Sequence, residues 1–426
     1  MQALGEWCGT QIVHAPYRME SVRTFRQPAA AIDPTRFVRH RKYLFPLKRG
    51  KFGAPAPNQM ASIDQLCERY PDKVFQTHLQ STEPQQPELF KFHIVDNGDT
   101  SEFETHCFFQ SAGAVTSFLE GSSVDRTCCL VGPNNTSVEE TAFNLSTRQL
   151  IKSLKLGVFN PYIRRYRRQG DLCARRSLPL PMRLSGTVAS LNCLSAHNYF
   201  HWMVEVVPRI AGIEMAGIEC DYYLIDCLSG FQRQVLALLG IPDEKLIQPH
   251  CHLNVECDRL LHVTQGNSAM HTHFKKMIDR NVDADPNAQR QIYISRKKAI
   301  NRKIVNEPEL EEILAARGFE IVCFEDLTVA QQFKIAGEAR TIVTAHGAAL
   351  ANTMFARPGT NIVEMYPRQR GNITLYPALS HSRGLRHFTV LGDYTPLWKN
   401  IRVDWKNVSI ALDLIDSQAV PSRSAA

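Results

Sequence analysis

The chain has 426 residues, which is long enough for two or three domains that each bury a sizeable core. Its 44% hydrophobic and 21% charged residues are typical of a globular protein, and its net charge of +7 fits either an anionic ligand or a solvated basic face. The first twenty residues lack an apolar h-region and no run of about 18 apolar residues follows, so the sequence predicts neither a signal peptide nor a membrane span. Because the twelve cysteines lack regular spacing, we expect reduced thiols in a cytoplasmic protein.

The first 95 residues are predicted to form an irregular extension, since six prolines lie within residues 1–60. Seven lysines and arginines lie between 36 and 51, and four arginines lie between 164 and 168. These two basic clusters leave open a peripheral association with the inner face of an anionic membrane or with a polyanion. Residues 128–131 are a candidate for a short buried strand.

Residues 96–280 are predicted to form a first Rossmann-like domain, because strand and helix patterns alternate regularly from about residue 185. The predicted strands and helices follow one another at 188–194, 199–215, 222–225, 231–239 and 259–264. This βαβαβ pattern indicates a parallel sheet that is covered by helices.

Residues 281–390 repeat this rhythm and are predicted to form a second Rossmann-like domain, followed by a C-terminal segment at 391–426. Its predicted strands lie at 292–295, 319–324, 342–345 and 360–365, and its predicted helices lie at 307–317 and 328–338, with a short one ending near 355. Two such units predict an α/β protein with two doubly wound domains that face a cleft. Ligands of open α/β sheets bind outside the carboxyl ends of the strands.

The sequence His346-Gly347-Ala348-Ala349 falls where a predicted strand passes into a helix. Small residues allow backbone N–H groups to approach a ligand, and the start of a helix favours negative charge, so a diphosphate would fit there. The alternative is a tight turn in which His346 is structural. Asn352 follows within the helix, where ligand contact and plain solvent exposure are equally open.

Ser295 and Arg296 end the first strand of the second unit, and Arg302 follows in the next loop. These side chains are placed to meet phosphate oxygens, and arginine can bind such oxygens in a bidentate manner. Glu364, near the end of the strand at 360–365, could accept hydrogen bonds from a ribose diol. Surface charge for the basic residues and an internal salt bridge for Glu364 are the alternatives.

A polar group in the first unit lies at the start of the helix at 199–215. His201 and Glu205 are four residues apart and therefore share one helix face, close to Asn198 and Trp202. A carboxylate beside a histidine in a cleft is a candidate general base. The alternative is an ordinary polar pair on a partly buried helix.

Two patterns could suggest a metal but are not interpreted as metal sites. Histidines and cysteines are frequent between 250 and 273, yet their spacing fits no paired zinc-binding template. Asp283 and Asp285 form a DxD pattern that precedes Pro286 in a predicted loop, which we interpret as a turn. A dinucleotide-binding oxidoreductase is also disfavoured, because the spaced glycines of GxGxxG are missing.

In combination, these motifs resemble glycosyltransferase family 61 over residues 190–370. That family includes plant wall xylosyltransferases, animal protein O-linked N-acetylglucosaminyltransferases and bacterial proteins associated with capsular polysaccharide synthesis. The resemblance rests on the ordered motifs Asn198-x-x-His201-x-x-x-Glu205, Ile294-Ser295-Arg296 with Arg302 and Asn306-Glu307, His346-Gly347-Ala348-Ala349-Leu350-x-Asn352, and Pro358-Gly359-Thr360 before Ile362-Val363-Glu364.

The resemblance implies a GT-B architecture and inverting sugar transfer without a metal or another cofactor. In this interpretation Glu205 and His201 are catalytic, and Asn198 and Trp202 bind the acceptor. Glu205 stands where the eukaryotic members have aspartate. The implied donor-binding residues are Ser295, Arg296, Arg302, His346, Gly347, Ala348, Ala349, Asn352 and Glu364.

The implied partners are a nucleotide sugar, with a UDP-sugar favoured, and a hydroxyl of a glycan or glycoconjugate acceptor. Nucleic acid is not expected, because the basic clusters lack the interleaved aromatic residues of a known recognition module. The remaining alternative is a protein that binds an anionic polymer or a nucleotide without transferring a sugar.

Overall fold

A computed structural model of the chain describes residues 53–79, 88–110, 112–126, 128–141, 172–174, 177–193, 195–371, 373–395 and 400–419. The two basic clusters at 36–51 and 164–168 lie outside these residues. In the described part of the chain, no helix has both the length and the apolar character needed to cross a membrane.

The strands are numbered here in chain order. They are β1 (Ala54–Pro55), β2 (Gln59–Ala61), β3 (Val74–His78), β4 (Leu89–Asp96), β5 (Asp99–His106), β6 (Ala114–Phe118), β7 (Ser122–Val124), β8 (Cys129–Gly132), β9 (Thr136–Val138), β10 (Ser177–Leu178), β11 (Met182–Ser190), β12 (Tyr222–Leu224), β13 (Leu246–Ile247), β14 (Asn254–Val263), β15 (Arg290–Ile294), β16 (Glu320–Val322), β17 (Ala339–Ala345), β18 (Asn361–Pro367), β19 (Arg386–Tyr394) and β20 (Ile401–Arg402).

The main helices are numbered in the same way, with α2 made of three consecutive pieces. They are α1 (Ile63–Arg69), α2 (Tyr199–His201, the π-helical turn Trp202–Val206, and Pro208–Met215), α3 (Gly230–Leu238), α4 (Ser268–Asp279), α5 (Glu307–Ala316), α6 (Val329–Glu338), α7 (Leu375–Ser382) and α8 (Trp405–Ala419). Short 3₁₀ segments lie at Phe108–Gln110, Pro133–Asn135, Glu139–Thr141, Leu172–Ala174, Asp243–Lys245, Phe324–Asp326, Ala348–Phe355 and Arg368–Arg370.

The first large sheet contains a parallel half in the order β13-β12-β11-β14. Beyond β14 the sheet is mostly antiparallel, because β14 pairs with both β6 and β7 in that direction, and only the pair β9–β2 is parallel in the described residues of this part. In chain order the parallel half reads 3-2-1-4, so the direction of winding reverses between β11 and β14. In doubly wound sheets, ligands bind at such a switch point, outside the carboxyl ends of the two strands.

The second large sheet has the order β16-β15-β17-β18-β19-β4-β5. Its neighbours are parallel from β16 to β4, the edge strand β5 runs antiparallel to β4, and the short β20 pairs antiparallel with the end of β19. The first five strands read 2-1-3-4-5 in chain order, which puts the switch point between β15 and β17. This strand order is one that doubly wound sheets have.

Local sequence signals explain where several helices begin and end. Thr328 caps α6 by accepting a hydrogen bond from the Gln331 amide, and the Gln331 side chain completes the capping box. Gly318 follows α5 with a φ of 82°, and Gly240 follows α3 with a φ of 70°, so both adopt the left-handed conformation that favours glycine. These boundaries agree with the sequence predictions to within one or two residues.

The N-terminal part differs from the sequence prediction. Between residues 54 and 96, where an irregular extension is expected, the structure has strands β1–β4 and helix α1. In β4, Phe90 and Phe92 are buried and Lys91 between them is exposed, so an alternation of period two marks this strand. The β4–β5 hairpin crosses the predicted boundary at 95/96 and joins the second sheet.

One hydrophobic core cluster spans both sheets. Phe355, from the second unit, stacks on Phe333 and contacts Phe274 of α4 edge-on at a ring distance of 5.5 Å. Together with the two parallel arrangements, this confirms the α/β class. The GT-B layout and the predicted domain boundaries at 280/281 and 390/391 stay predictions.

Candidate active site

The predicted donor-binding residues lie at the switch point of the second sheet. Ser295 and Arg296 follow directly after β15, and His346 and Gly347 follow directly after β17. Because β15 and β17 are parallel neighbours, their carboxyl ends bring the two motifs together at one sheet edge.

A buried carboxylate organises the end of β15. Glu307, at the start of α5, accepts hydrogen bonds from the Tyr293 hydroxyl (2.8 Å), the Ser295 hydroxyl (2.8 Å) and the Arg296 amide (3.1 Å). Ser295 is buried and its hydroxyl donates to Glu307, so this side chain supports the strand end rather than contacting phosphate directly. This frame of hydrogen bonds fixes the backbone from which the Arg296 side chain extends.

Three arginines gather in front of this frame: Arg296, Arg302 and Arg370. Burial, together with the charges of Arg370 and Arg296, lowers the pKa of Arg302 to about 10. Burial also lowers the pKa of Arg296, whose guanidinium donates to the carbonyls of Arg302 (3.3 Å) and Asn301 (3.2 Å). Because the charges of two arginines lower the pKa of a third, the cluster indicates a site for an anion.

Gly347 is required by the approach of Arg296. A Cβ atom at residue 347 would lie 2.1 Å from the Nη1 atom of Arg296, so any other residue would displace the guanidinium. The carbonyl of Gly347 accepts a hydrogen bond of 2.6 Å from the Tyr376 hydroxyl. Gly347 is thus held between Arg296 and Tyr376.

His346 belongs to a buried relay of side chains. Its Nδ1 atom lies 2.5 Å from Glu364 Oε1, and the other carboxylate oxygen lies 3.2 Å from Nε2 of His387. Burial lowers the pKa of His346 to about 4, so the ring is neutral at pH 7 and its Nδ1–H donates to the carboxylate. Nδ1 of His387 completes the relay with the hydroxyl of Ser380 at 2.9 Å.

The relay changes the role predicted for Glu364. Burial alone would raise the pKa of this carboxyl group, but the hydrogen bonds and charges of His346 and His387 lower it to about 2. Glu364 is fully buried and both oxygens are engaged by histidines, so it cannot receive a ribose diol as predicted. It orients His346 instead.

The segment after His346 is a 3₁₀ helix, Ala348–Phe355, where the sequence predicts a short helix that ends near residue 355. Ala348 and Ala349 are half-buried at its start, where the first amides of a helix lack intrahelical partners. Asn352 is buried, and its Oδ1 atom accepts a 2.7 Å hydrogen bond from the hydroxyl of Tyr199 in α2. Asn352 therefore joins the two units and does not face a ligand.

The predicted base lies at the start of α2. Asn198 caps the helix by accepting a 2.9 Å hydrogen bond from the Phe200 amide. Nδ1 of His201 lies 2.9 Å from Oε1 of Glu205, and these two side chains keep 24% and 18% of their surface exposed. The pair is therefore accessible to a substrate, as a base and its neighbour must be.

Trp202 does not take the acceptor-binding position predicted for it. Its indole is fully buried, and its N–H donates a 2.8 Å hydrogen bond to the carbonyl of Asp226. Its neighbour Phe200 contacts His201 on one side and Tyr376 on the other, each edge-on at 5.3 Å. Because Tyr376 also contacts His346 at 5.2 Å, an unbroken series of rings connects the two halves of the site.

The two metal-like patterns do not gather into a site in the described residues, where no three histidine, cysteine or acidic side chains form a group suited to an ion. Asp285 instead accepts a hydrogen bond of 2.8 Å from the Asn287 amide, in agreement with the predicted turn. Metal independence of any reaction stays a prediction.

Residues 199–363 match the family model described as Glycosyltransferase 61. The match begins at the first residue of α2 and ends one residue before Glu364, so it contains His201, Glu205, Arg296, Arg302 and His346. Residues 199–363 are therefore similar to glycosyltransferase family 61. The family predicted from the sequence is confirmed.

Two frog proteins have sequences similar to part of this chain. Over 109 residues, the chain is 31% identical to the protein O-linked-mannose beta-1,4-N-acetylglucosaminyltransferase 2 of Xenopus tropicalis and 30% identical to that of Xenopus laevis. Each match covers 25% of this chain and 19% of the relative, so the chain spans about a fifth of the length of the curated relatives it matches.

Sequence reasoning missed three residues of the family 61 region and its surroundings. The sequence analysis includes Glu307 only as part of a motif. Its position in the first turn of a helix, just after the loop that carries Arg296 and Arg302, could have indicated a buried partner for that loop. Arg370 and Tyr376 follow β18, in a stretch without a recognisable motif. Only the fold brings them to Arg302 and Gly347.

Proposed function

We propose that the protein is an inverting glycosyltransferase that moves a sugar from a nucleotide sugar, with a UDP-sugar favoured, to a hydroxyl group of a glycan or glycoconjugate. The observation that carries this proposal is the cluster of Arg296, Arg302 and Arg370 at a switch point, connected through aromatic rings to the His201–Glu205 pair. The match of residues 199–363 to the family model supports the reaction class.

The arginine cluster suits the leaving group of such a reaction. When the bond to the anomeric carbon breaks, negative charge develops on the diphosphate, and fixed guanidinium groups stabilise that charge without reorganising. The early amides of the segment Ala348–Phe355 add donors of the same kind. Since the arginines supply this positive charge from the protein itself, the proposed transfer requires no metal ion.

His346 acquires a defined role in this scheme. Because its Nδ1–H donates to Glu364, its Nε2 atom carries a lone pair and acts as an acceptor. We expect it to accept a hydrogen bond from a hydroxyl of the donor rather than to bind phosphate. The role in sugar recognition first expected for Glu364 thus passes to the residue that Glu364 orients.

Glu205 is the proposed general base. It would take the proton of the acceptor hydroxyl, whose oxygen then attacks the anomeric carbon on the face opposite the diphosphate, which inverts the configuration there. His201 lies 2.9 Å from Glu205 and orients its carboxylate. The names of the two frog relatives, which include an N-acetylglucosaminyl group and O-linked mannose, support a sugar hydroxyl as the acceptor class.

A binding and transfer assay with matched arginine variants tests the proposal. UDP and UDP-sugars should raise the melting temperature of the purified protein, and incubation with EDTA should leave transfer intact. Arg302→Gln and Arg370→Gln should each weaken UDP binding by about tenfold to a hundredfold, because each removes a charge-assisted hydrogen bond of about 1.5–3 kcal/mol. Arg340→Gln is the control, since Arg340 is exposed and its side chain donates a hydrogen bond to Gln291.

Three results would count against the proposal or a part of it. Unchanged UDP affinity in both arginine variants would show that the donor does not bind at this cluster. Binding to a polyanion with steep salt dependence, and without hydrolysis or transfer of any UDP-sugar, would favour the alternative of an anionic-polymer binder. Loss of transfer in EDTA that manganese restores would contradict the metal-free scheme.

A further inference from the structure

Helix α2 is irregular at the residue proposed as the base. The turn Trp202–Val206 is π-helical, and the amide of Val207 donates to the carbonyl of Trp202, five residues earlier, at 2.9 Å. A π turn inserts one extra residue into a helix and changes the direction of the side chains before it, relative to those after it. Glu205 lies inside this turn.

Pro208 provides the physical cause of the irregular turn. Proline has no backbone N–H, and inside a helix its ring clashes with the carbonyl four residues earlier. That carbonyl belongs to Val204, the residue directly before Glu205. The α-helical donor for the Val204 carbonyl is therefore missing, and the buried oxygen needs another partner.

His271 supplies that partner from α4, the helix that follows β14. Its Nε2 atom lies 2.8 Å from the Val204 carbonyl oxygen, and because a carbonyl only accepts, Nε2 must carry the proton. Burial lowers the pKa of His271 to about 4, so the ring is neutral at pH 7. Its Nδ1 atom is buried without a hydrogen-bond partner, so the Val204 carbonyl is the polar contact of this ring within the described residues.

The loop before α4 is shaped for this contact. A Cβ atom at Gly266 would lie 2.5 Å from the Val204 carbonyl oxygen and 3.1 Å from Nε2 of His271. Asn267 caps α4 through a 2.9 Å hydrogen bond from the Met270 amide, and its carbonyl accepts the His271 amide at 2.8 Å. His271 is thus held by hydrogen bonds at both its backbone amide and its ring.

We propose that His271 is a positioning residue for sugar transfer: by holding the Val204 carbonyl outside the α-helical pattern, it maintains the π turn that directs Glu205 toward His201 and the acceptor. This inference rests on the proposed function, in which Glu205 is the base. His271 contacts neither substrate, so its influence passes through one backbone carbonyl.

Four variants separate positioning from general stability. His271→Leu removes the donor, His271→Gln keeps an N–H that can reach the carbonyl, and Pro208→Ala restores an amide that can close an ordinary α-turn. His273→Leu, on the same helix and paired with Glu214, is the matched control. Each protein is assayed for melting temperature, UDP Kd, kcat and the pH profile of kcat/KM.

We expect His271→Leu to lower kcat by about tenfold to a hundredfold, the effect of misplacing a catalytic group by about 1 Å. The UDP Kd should stay within about twofold of the wild type, and His271→Gln should recover most of the lost kcat. Pro208→Ala should keep or raise the melting temperature and still lower kcat. An α-turn contains one residue fewer than a π turn, so closing the α-turn would rotate Glu205 by about 100° around the helix axis. If His271 had a purely structural role, kcat would not fall while the UDP Kd and the melting temperature are preserved in this way.

Equal kcat in the wild type and His271→Leu would overturn the inference, as would a fall in kcat matched by an equal loss of UDP binding. NMR of imidazole nitrogens in the intact protein tests the contact without any activity: an Nδ1–H tautomer of His271 would also overturn it. If the Nε2–H tautomer is found but no UDP-sugar is transferred, the proposed function fails while the backbone contact stands. The two failures are thus distinguishable.

Discussion

The two switch points of this molecule hold their functional groups in different ways. At the second sheet, buried carboxylates fix the cationic and polar groups: Glu307 anchors the strand end before Arg296, and Glu364 orients His346. At the first sheet, a distorted helix places Glu205, with a neutral histidine on its backbone. Stabilising the leaving group requires positive charge in a fixed position, whereas the general base requires only a carboxylate that points toward the acceptor hydroxyl.

This difference predicts which measured quantity each region controls. Changes at the second switch point should act mainly on donor binding, since the arginines and His346 face the proposed nucleotide sugar. Changes at the first should act mainly on the rate of transfer, since Glu205 is required only when the acceptor proton leaves. A mutation at one switch point that changed donor binding and the rate of transfer equally would contradict this comparison.

The largest effect is expected from Glu205→Gln. Removing the general base should lower kcat by about a hundredfold to ten-thousandfold, while the UDP Kd stays unchanged because the arginine cluster is untouched. Steady-state transfer kinetics and calorimetric titration with UDP measure the two quantities. Glu214→Gln on the same helix, where the carboxylate pairs with Arg280, is the control. Near-normal transfer by Glu205→Gln would remove it as the base.

Lowering the pH should reduce the stability that His271, the neutral histidine of the first region, contributes. His271 has a folded-state pKa of about 4 against 6.5 when unfolded, so the unfolded chain binds its proton first as the pH falls. Its contribution is complete above pH 6.5 and is lost between pH 6.5 and 4, by about 3 kcal/mol in total. Urea unfolding across this range should show a slope that flattens in His271→Gln but not in His252→Gln, an exposed control. An unchanged slope would contradict the assignment.

The close approach at the second switch point can be tested with glycine variants. Gly347→Ala should displace the Arg296 guanidinium and weaken UDP binding by about tenfold, without a proportionate fall in kcat at saturating donor. Gly230→Ala is the matched control, because no atom lies within 4 Å of its added Cβ and alanine favours its helix. Equal UDP affinity in both variants would mean that Arg296 does not bind the donor from this position.

The smallest effect concerns the contact between the two regions. Tyr199→Phe removes the hydroxyl that donates to buried Asn352, which should cost about 1–3 kcal/mol of unfolding free energy by leaving an acceptor unsatisfied. Since neither the arginines nor Glu205 change, UDP Kd and kcat should stay within about threefold. Denaturant unfolding and transfer kinetics test this, and a loss of UDP binding would show that Asn352 contributes to the donor site.

Much of the fold follows from sequence because its signals are local. The capping box at Thr328 and the glycines after α3 and α5 specify helix ends without help from distant residues. The same holds for the motif at Arg296 and Gly347, where strand ends and small residues stand together in the chain. The α/β class and the position of the proposed donor site could therefore be predicted.

What could not be predicted depends on distant partners. Glu364 and Trp202 have suitable chemistry for ligand contact, but the histidines and the Asp226 carbonyl that occupy them come from elsewhere in the chain. The π turn has a sequence signal in Pro208, yet a proline there predicts only a kink. That the turn is held by His271, far along the chain, is visible only in the fold.

The core that spans both sheets has a thermodynamic consequence. Because Phe274 and Phe355 pack on each other across the two units, neither unit can unfold without exposing apolar surface of the other. Melting should therefore be one cooperative event with a single heat-absorption peak, although each sheet is large enough to fold alone. A nucleotide that binds beside β15 and β17 would raise the melting temperature of the whole molecule, and amides of β11 would exchange more slowly with solvent.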